Sequence, residues 1–433
     1  MRRHSLIAPV LAALLLALVA GLSACGGGGG EDNTTPSKGG LAVRIGDSVP
    51  LSGDLEAYGE PAKKAADLAE EQIRRAIIKA GRGDAVQVEH VDNKTDSEEA
   101  VKVARKLAEE KTSCIVGAWA PRDTIKTAEE VSIPRGILQI SPASTADEIS
   151  TIKDRGLLNR TVTPDSLQGP AVADAAEQAL GGVRGRVFNI GARDDTYGTG
   201  LADSFSAAWK RRGGKIGQRV VYAAQQGSYD KEAQQIAQGS PDGWAIFDFP
   251  DTYAKVGRAL SATGRWDARQ TWVTDSLAAA DLPQRAGFDA TEGLRGTAPG
   301  TPSRGRPADA FARLYAGKKG DPAQRFSAQT FDAVVLCYLA AVAAGSTDGV
   351  KMAQHVRAIS APPGTKYTWE QLPAAIRAVA SGDDIDYEGA SGPIDMNSAG
   401  DAAAGWYDLF RFQDGKIKLF GETQVPTPPQ PGD

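Results

Sequence analysis

Short apolar runs alternate with amphipathic stretches along most of the chain. Runs such as 86–91 and 244–249 have the length and the β-branched or aromatic content of buried strands. Between them, stretches such as 62–80 carry apolar residues at the three- and four-residue spacing of one helix face. Strands that alternate with helices in this way predict an α/β fold with largely parallel sheets.

The alternation runs through two rounds, which are followed by helices and a terminal hairpin. The first round predicts strands 41–51, 86–91, 114–119 and 137–141, and helices over 62–80 and from Asp96 onward. The second predicts helices 166–180, 197–212, 231–238 and 252–263, and strands 185–191, 219–223, 244–249 and 270–274. Helices 307–314, 328–344, 350–359 and 369–380 follow, with strands 406–412 and 416–420 at the end. Two rounds of similar size predict two lobes sharing a hinge, with a ligand cleft at the carboxyl ends of the strands.

The run 137–141 stops abruptly in a cluster of small polar residues. Ser144 and Thr145, with Asp147 and Glu148 close behind, predict a helix start that their hydroxyls cap. Unpaired N–H groups at such a place favour an anion or a carboxylate. The alternative is that these residues only cap the helix.

The N-terminus has the order of a secretory signal peptide over 1–24. Two arginines precede an apolar stretch, 6–24, and Leu22-Ser23-Ala24-Cys25 resembles a bacterial lipobox, which implies a lipid on Cys25. The glycine-rich, polar stretch 25–40 predicts a flexible tether. We therefore expect an exported protein, lipid-anchored to the outer face of the cytoplasmic membrane. The alternative is an uncleaved transmembrane helix.

Charge and composition argue against several classes of partner and reaction. The net charge is −5, without a cluster of lysines or arginines, which argues against nucleic acid and against electrostatic docking to a membrane. The sequence has no His-Glu-x-x-His or Cys-x-x-Cys motif, no phosphate loop and no Gly-x-Ser-x-Gly elbow. We therefore predict no metal site, no cofactor and no enzymatic activity.

Two cysteines remain in the predicted folded body. Cys114 lies in a predicted strand and Cys337 in a predicted helix, and both have the sequence surroundings of buried apolar residues. In an exported protein they can also pair as a disulfide, and two cysteines alone do not decide between these states.

Several short motifs, taken in order, resemble those of one family. They are Ile45-Gly46-Asp47-Ser48-Val49-Pro50-Leu51-Ser52-Gly53, Ala57-Tyr58-Gly59, Val116-Gly117-Ala118-Trp119, Gln139-Ile140-Ser141-Pro142-Ala143-Ser144-Thr145, Asp195-Thr196-Tyr197-Gly198, Thr330-Phe331-Asp332-Ala333 and Gly389-Ala390-Ser391-Gly392-Pro393-Ile394. Each motif is weak alone, but the ordered set covers nearly the whole chain after the tether. The chain resembles the leucine/isoleucine/valine-type substrate-binding lipoproteins of ABC importers, which are periplasmic binding proteins of type I.

The resemblance implies a two-lobed Venus-flytrap fold, in which each lobe holds a mainly parallel sheet flanked by helices. Three hinge crossings are expected, near Thr161, Thr297 and Gly405. Lobe one would comprise 41–161 and 298–404, and lobe two 162–297 and 405–424. The proline-rich remainder, 425–433, is expected to be disordered.

The resemblance also implies which residues meet a ligand. Tyr58 and Tyr197 stand where the family has aromatic residues near the ligand, and Asp275 stands where an acid meets the ligand's ammonium. The loop residues Ala143, Ser144 and Thr145 match those that hold the ligand's carboxylate. Trp119 and Ala120 lie in a further loop that we place at the ligand. This division suits a zwitterion, because charge-assisted hydrogen bonds would form at both of its ends.

One loop departs from the family. Branched-chain binders have a run of serines where this chain has Pro121, Arg122 and Asp123. Arg122 would either bind an acidic or extended ligand or point to solvent. Tyr58 and Tyr197 also have an alternative as ordinary packing residues, and Asp275 has one as a helix cap. The departure leaves the ligand's identity open.

The sequence thus predicts an extracytoplasmic lipoprotein, expected to be a monomer, that captures a small amino-acid-like ligand and delivers it to an ABC permease. One alternative is a receptor on the same fold for an amide, urea or an aromatic acid. A second is a sensory or scaffolding lipoprotein without a transport role. An exported hydrolase is the third, and the sequence offers it no nucleophile and base.

Overall fold

In the computed structural model, which describes residues 39–300, 306–317 and 323–426, the chain forms two α/β lobes. The first elements of lobe one are, in chain order, β1 (Ala42–Val49), α1 (Gly59–Ala80), β2 (Ala85–Asp92), α2 (Ser97–Glu109), β3 (Cys114–Val116), α3 (Pro121–Thr127), α4 (Ile133–Arg135), β4 (Leu138–Ser141) and β5 (Leu158–Arg160). Their strands form one sheet in the order β2-β1-β3-β4-β5, with every pairing parallel. Helices on its faces bury it, as a parallel sheet requires.

The chain then enters lobe two, whose first elements alternate in the same way. They are α5 (Asp165–Leu180), β6 (Val187–Arg193), α6 (Thr196–Arg211), β7 (Lys215–Tyr222), α7 (Asp230–Ile236), β8 (Gly243–Phe247), α8 (Pro250–Ala262), β9 (Thr271–Val273), α9 (Leu282–Ala286), α10 (Phe288–Thr291) and β10 (Arg295–Pro299). These five strands pair in parallel in the order β10-β9-β8-β6-β7.

A mainly helical segment returns to lobe one, and a hairpin completes lobe two. The segment holds α11 (Arg306–Ala316), α12 (Ser327–Ala344), α13 (Gly349–Val356), β11 (Thr365–Thr368), α14 (Leu372–Ala380), β12 (Ile385–Gly389) and β13 (Gly392–Pro393), of which the strands form a small separate sheet. The hairpin strands β14 (Ala404–Gln413) and β15 (Lys416–Pro426) add to β10 in antiparallel order. The chain therefore passes between the sheets three times.

The structure confirms the predicted fold class, a two-lobed α/β fold with one parallel and one mixed sheet. The predicted helix start at Asp96 is also confirmed, since its carboxylate accepts hydrogen bonds from the Glu98 and Glu99 amides. Strands β5, β10 and β11–β13 were not predicted. They are short and carry polar residues such as Asn159 and Arg295. Their extended conformation therefore depends on pairing with neighbouring strands rather than on an apolar run in the sequence.

Several predicted segments reach beyond the described residues. The signal peptide, Cys25 and most of the tether lie outside them, and lipid attachment stays a prediction. The predicted tail also lies outside them after residue 426, but Val425 and Pro426 pair with β14, so the tail prediction began two residues too early. The lobe bounds 41–161 with 298–404, and 162–297 with 405–424, stay a prediction.

Helix α12 runs through the core of lobe one. Within the described residues it is the one helix long and apolar enough to cross a membrane, but 89% of it is buried inside the protein. It packs against α1, α13 and α14. Asp332 on α12 accepts hydrogen bonds from the Ala390 and Ser391 amides at 2.7 and 2.8 Å and from the Ser391 hydroxyl. Two motifs of the sequence resemblance thus contact each other inside this lobe.

A disulfide joins the sheet of lobe one to α12. Cys114 on β3 and Cys337 on α12 are bonded across 223 residues of chain, and their Cα atoms are 5.9 Å apart. Both side chains are fully buried, as predicted, and the state that the sequence left open is the paired one. A cross-link between distant residues stabilises chiefly by restricting the unfolded chain.

We expect the double variant Cys114→Ala/Cys337→Ala to lose about 2–5 kcal/mol of unfolding free energy, because its unfolded chain is no longer cross-linked. Thermal unfolding with and without reductant measures this loss. Reductant should lower the melting temperature of the parent protein and leave that of the variant unchanged. Two free thiols in the denatured, unreduced body would contradict the pairing.

Candidate functional site

The loops that meet between the lobes all follow the carboxyl ends of parallel strands. In lobe one the strand order reverses between β1 and β3, and in lobe two between β6 and β8. At such a reversal the outgoing loops diverge and leave a crevice. The predicted residues Tyr58, Trp119 and Ala143 follow β1, β3 and β4, and Tyr197 and Asp275 follow β6 and β9.

These five residues line one cavity between the lobes. Its volume is about 20 Å³, and it is completed by Leu55, Pro121, Phe249, Ser276 and Phe326. The Tyr58 hydroxyl crosses it, donating to the Ser276 carbonyl at 2.8 Å and lying 3.1 Å from the Asp275 carbonyl. The structure therefore brings predicted residues from both lobes into one enclosed place.

The lobe-one wall is aromatic. Tyr58 stacks on Trp119 with ring centroids 6.4 Å apart, and Phe326 packs edge-on against both rings at 5.7 and 5.6 Å. Phe326 precedes α12 with a backbone φ of 64°, a conformation that costs energy for a bulky residue and recurs at binding sites. Such rings exclude water and strengthen any charge interaction beside them.

The lobe-two wall combines an aromatic pair with an acid. Tyr197 packs on Phe249 at 4.9 Å, and its hydroxyl donates to Asp275 Oδ1 at 3.0 Å and lies 2.8 Å from Ser276 Oγ. Asp275 is 2% exposed and opens a short 3-10 turn, which it does not cap with its side chain. The helix-cap alternative for Asp275 is therefore wrong.

Close backbone contacts explain two of the motifs. A Cβ on Gly59 would lie 2.2 Å from the Pro50 carbonyl oxygen. Only glycine therefore fits at the start of α1, directly after Tyr58. A Cβ on Gly198 would lie 2.3 Å from the Arg193 carbonyl oxygen. Asp195 caps α6 by accepting from the Gly198 amide at 2.9 Å, which sets the direction of Tyr197.

The loop after β4 differs from its prediction. The 3-10 turn that follows has Ala146 at its N-cap without a side-chain bond, so the predicted capping by Ser144 and Thr145 is wrong. Both donors of Ser144 are used inside the fold, because its amide bonds Ser141 Oγ at 3.1 Å and its hydroxyl bonds the Trp119 carbonyl at 2.8 Å. Thr145 is fully buried and does not line the cavity, and its side chain lies by the Asp165 carboxyl, whose pKa it lowers.

A buried arginine, which sequence analysis missed, fixes this loop. Arg160 is fully buried at the end of β5 and donates to the Ser144 and Ala146 carbonyls at 3.2 and 2.9 Å. Its Nε pairs with Asp401 at 2.7 Å, and its third nitrogen donates to Ser150 Oγ. Arg160 thus fixes the direction of these two loop carbonyl groups.

Burial dominates the electrostatics of the site. It raises the pKa of Asp275 to about 6, although contacts with Gln168 and Tyr197 favour the ionised form. Burial likewise raises the pKa of Asp165, at the start of α5, well above its usual range, and nearby Asp147 and Asp275 raise it further. The Thr145 side chain opposes this rise by favouring the ionised form of Asp165. Asp275, the acid in the cavity lining, has no protein cation bonded to it in the described chain.

The loop with Pro121, Arg122 and Asp123, whose sequence departs from the family, borders a second small cavity. Ala120, Pro121 and Arg122 line it together with Arg193 and Tyr197. Arg122 is exposed and donates from Nε to Ser97 Oγ at 2.9 Å, so the solvent-facing alternative fits it better. Pro121 supplies no N–H, and the serine-based carboxylate contact of the family has no equivalent at this position.

Ion pairs join the lobes at the rim of the cleft. Arg193 of lobe two is 8% exposed; it pairs with Asp54 of lobe one at 2.7 Å and lies 4.2 Å from the Phe249 ring centroid. Arg285 pairs with Glu56 at 2.8 Å. A polar groove of about 650 Å³ runs along this rim and is larger than the enclosed cavity. Its open, charged lining makes it a rim feature, because ligand sites are concave and mostly apolar.

One histidine of lobe one lies between two carboxylates. His90 is held between Asp47 and Asp67 at 2.7 and 2.8 Å, far from the cleft in sequence and packed in lobe one. Within 39–300, 306–317 and 323–426, no group of three or more His, Cys, Asp or Glu residues could hold a metal ion.

Phe249 and Phe326 line the cavity and were missed by sequence analysis. Phe249 follows β8, so the rule that ligands meet strand ends could have found it. Phe326 lies before a helix of the returning segment, and no local pattern points to it.

Comparison with known proteins agrees with this architecture. Residues 42–416 match the family described as periplasmic binding protein. A leucine-, isoleucine-, valine-, threonine- and alanine-binding protein of Pseudomonas aeruginosa is 26% identical over 320 residues, covering 73% of this chain and 82% of the relative. A Leu/Ile/Val-binding protein homolog of Brucella melitensis is 25% identical over 380 residues, covering 87% and 92%. These relatives are binding proteins rather than enzymes.

Solved structures share the fold. A leucine-binding protein from Thermotoga maritima superposes with a TM-score of 0.73 at 22% identity, covering 89% of this chain and 99% of the other. A solute-binding protein from R. palustris in complex with 4-hydroxybenzoate gives 0.69 at 18% identity, covering 89% and 98%. The chain therefore belongs to the periplasmic binding protein family, as a type I member of the leucine/isoleucine/valine type.

Proposed function

We propose that this protein is an extracytoplasmic receptor that captures a small amino-acid-like ligand between its lobes and delivers it to an ABC permease. The observation that carries the proposal is the meeting of Tyr58, Trp119 and Ala143 from one lobe with Tyr197 and Asp275 from the other around one enclosed cavity. A lipid anchor on Cys25 and a monomeric state belong to the same proposal.

The chemistry of the two walls supports an ammonium-bearing ligand. Asp275 is a buried acid without a protein cation bonded to it in the described chain, so a ligand cation would recover part of its desolvation cost. The aromatic rings of Tyr58, Trp119 and Phe326 would enclose an apolar ligand side chain.

Ligand entry requires the lobes to separate. The enclosed cavity of about 20 Å³ is far smaller than the roughly 300–1,000 Å³ of ordinary ligand pockets. In this arrangement the lobes pack directly against each other, since Tyr58 and Trp119 belong to the apolar cluster of lobe two. A ligand that contacts both lobes would shift the population toward a closed state.

An aromatic acid is the second candidate ligand. The five aromatic rings around the cavity favour it, and the R. palustris protein of the same fold was solved with 4-hydroxybenzoate. Such a ligand has no ammonium and gains nothing from an ionised Asp275. The two candidates therefore differ in their dependence on this residue.

The variant Asp275→Asn should lose affinity for amino acids by about tenfold to a hundredfold, because a charge-assisted hydrogen bond is removed. Thr145→Ala should lose roughly twofold to tenfold, because it removes a neutral hydroxyl. Isothermal titration of the purified protein against the standard amino acids measures both effects. Asp383→Asn changes an exposed acid that follows a turn; it is the matched control and should bind like the parent.

The same titrations separate the candidates. The second candidate would replace the first if benzoate or 4-hydroxybenzoate binds and no amino acid does. In that case Asp275→Asn should keep or improve the binding of the aromatic acid. Silence for both ligand classes would favour a sensory or scaffolding role and contradict the receptor proposal.

Amino-acid affinity should fall as the pH is lowered from about 7.5 to about 5, because burial raises the pKa of Asp275 to about 6. Below that pH the carboxyl is neutral and attracts the ammonium weakly. The loss should approach roughly tenfold per pH unit, and it should be absent in Asp275→Asn. Titration at three pH values checks it, and an equally steep loss in the variant would assign the effect to another group.

The rim ion pairs should stabilise the closed state. We expect Asp54→Asn/Glu56→Gln to weaken ligand binding roughly twofold to tenfold, because two partly exposed cross-lobe pairs are lost. The change should lie in a faster dissociation rate, measured by stopped flow. Glu89→Gln removes an ion pair within lobe one and is the control. Identical dissociation from all three proteins would exclude this role.

A further inference from the structure

The second small cavity adjoins the enclosed cavity in the cleft. Both cavities are lined by Pro121, Tyr197 and Phe249, which therefore form a shared wall between them. Pro121 opens α3 of lobe one, whereas Tyr197 and Phe249 belong to lobe two. Because the two lobes build this wall together, it parts when the lobes separate, and the two cavities then open into one space. A ligand in the enclosed cavity can thus extend into the second one.

The second cavity differs from the enclosed cavity in its charged lining. Two arginines, Arg122 and Arg193, and two aspartates, Asp123 and Asp195, line it, and each lobe supplies one residue of each sign. An anion placed there would be repelled by two acids, and a cation by two guanidinium groups. A neutral group that carries both a donor and an acceptor can pair with both kinds of side chain. The balance of charge therefore favours a neutral polar group.

Asp123 supplies an acceptor that the protein does not use. Its side chain is 2% exposed, and its Oδ1 accepts a hydrogen bond from Ser97 Oγ at 2.5 Å. Its Oδ2 has no hydrogen-bond partner in the described chain. Burial raises the pKa of Asp123 to about 6, against the effects of Ser97 and of the two arginines, so the carboxylate form prevails at neutral pH. A ligand N–H in this cavity would recover part of the cost of the unpaired oxygen.

Arg193 supplies a donor in the same cavity. Its Nε donates to Asp195, and its Nη1 donates to Asp54 of the other lobe at 2.7 Å. The Phe249 ring centroid lies 4.2 Å from its Cζ, so contacts on several sides hold the guanidinium in one orientation. The remaining nitrogen, Nη2, donates to no residue within 39–300, 306–317 and 323–426. The cavity thus offers an oriented N–H donor together with a buried acceptor.

We propose that the ligand extends from the enclosed cavity into the second one and ends there in a carboxamide group, which Asp123 and Arg193 recognise. The inference rests on the proposed function, because the ligand's ammonium is placed at Asp275. The carboxamide N–H₂ donates to Asp123 Oδ2, and its carbonyl oxygen accepts from Arg193. The aliphatic stem of the ligand lies along the shared wall. The ligand class is therefore an amino acid whose side chain ends in a primary carboxamide, and Asp123 and Arg193 determine this specificity.

The alternative occupant of the second cavity is a water molecule. A cavity of about 10 Å³ is near the smallest that holds one water, and its polar lining could bond that water. A water would satisfy Asp123 in the same way whichever ligand lies in the enclosed cavity. It therefore predicts no preference for a carboxamide over an apolar group of the same shape, and ligands matched in shape distinguish the two occupants.

Isothermal titration of the parent protein with two sets of matched ligands tests the proposal. Asparagine, leucine and aspartate share one side-chain shape, and glutamine, 2-amino-5-methylhexanoate and glutamate share the next longer one. Two lengths are used because the stem must span the shared wall. At one length, the carboxamide should bind at least about tenfold more tightly than its apolar and its anionic counterpart. The apolar ligand leaves Asp123 without a donor, and the anionic ligand is repelled by it.

Asp123→Asn should change this order of affinities. Ser97 keeps an oxygen as its acceptor, so the new amide N–H₂ takes the place of Oδ2, where it opposes the ligand's N–H₂ and donates to a carboxylate. The carboxamide ligand should lose about tenfold in affinity, the anionic ligand of the same length should gain, and the apolar ligand should bind as before. A general effect on folding or closure would change all three alike, so the ratios of the affinities report the contact itself.

Asp386→Asn is the matched control for these titrations. Asp386 on β12 is 3% exposed, and its Oδ2 also lacks a hydrogen-bond partner in the described chain, but it lines neither cavity. This variant should keep the parent's order of affinities. A change of order as large as that in Asp123→Asn would remove the assignment to Asp123.

The parent protein alone can overturn the inference, so the test does not depend on a variant that folds. If the apolar ligand binds as tightly as its carboxamide counterpart at both lengths, the second cavity is not a carboxamide site, and the receptor function stands. Tightest binding of aspartate or glutamate would also overturn the inference and leave the receptor function intact. If no amino acid binds, the proposed function fails and the inference fails with it.

Discussion

The cleft depends on the hydrogen bonds and the ion pair that the buried guanidinium of Arg160 forms. It lies where the chain leaves the first sheet, and it joins three separate segments: the loop after β4, the 3-10 turn at Ser150 and, through Asp401, the segment before β14. A fully buried ion pair of this kind contributes little net stability but specifies one arrangement, since breaking either partner leaves an uncompensated charge. The N–H groups of Arg160 donate to Asp401 and to the carbonyls. Arg160 therefore donates no hydrogen bond to an acid of the cleft.

The enclosed cavity of the cleft combines apolar walls with one acid, Asp275, to which no described protein cation is bonded. Tyr58, Trp119 and Phe326 exclude water, and in such surroundings the field of Asp275 is weakly screened. An ionised Asp275 opposes closure of the lobes unless a cation lies beside it. Under our proposals a cationic ligand would therefore supply the differential free energy that favours the closed arrangement.

Contacts across the rim complement this interior. Arg193 and Arg285 meet acids of the opposite lobe at partly exposed positions, where screening keeps each pair modest. The Tyr58 hydroxyl bonds lobe-two carbonyl groups directly. Closure thus rests on several weak contacts around one strongly charged interior, an arrangement that lets the lobes reopen.

The sequence by itself determined the fold class and most of the walls, because alternating strand and helix patterns are local and ligands meet the carboxyl ends of parallel strands. Motifs with a local structural reason, such as Tyr58 before Gly59, placed their residues at the cavity. The sequence did not reveal that Ser144 is used inside the fold or that Thr145 does not cap a helix.

Tertiary structure alone decided the partners of groups that are far apart in the chain. The pairing of Cys114 with Cys337 and the contact of Arg160 with Asp401 join residues more than two hundred positions apart. Hydrogen bonds and charges act over a few ångströms of space, and a sequence pattern records only neighbours within a turn or a strand. The charge balance of the cleft is therefore set by the tertiary structure and does not follow from the sequence pattern.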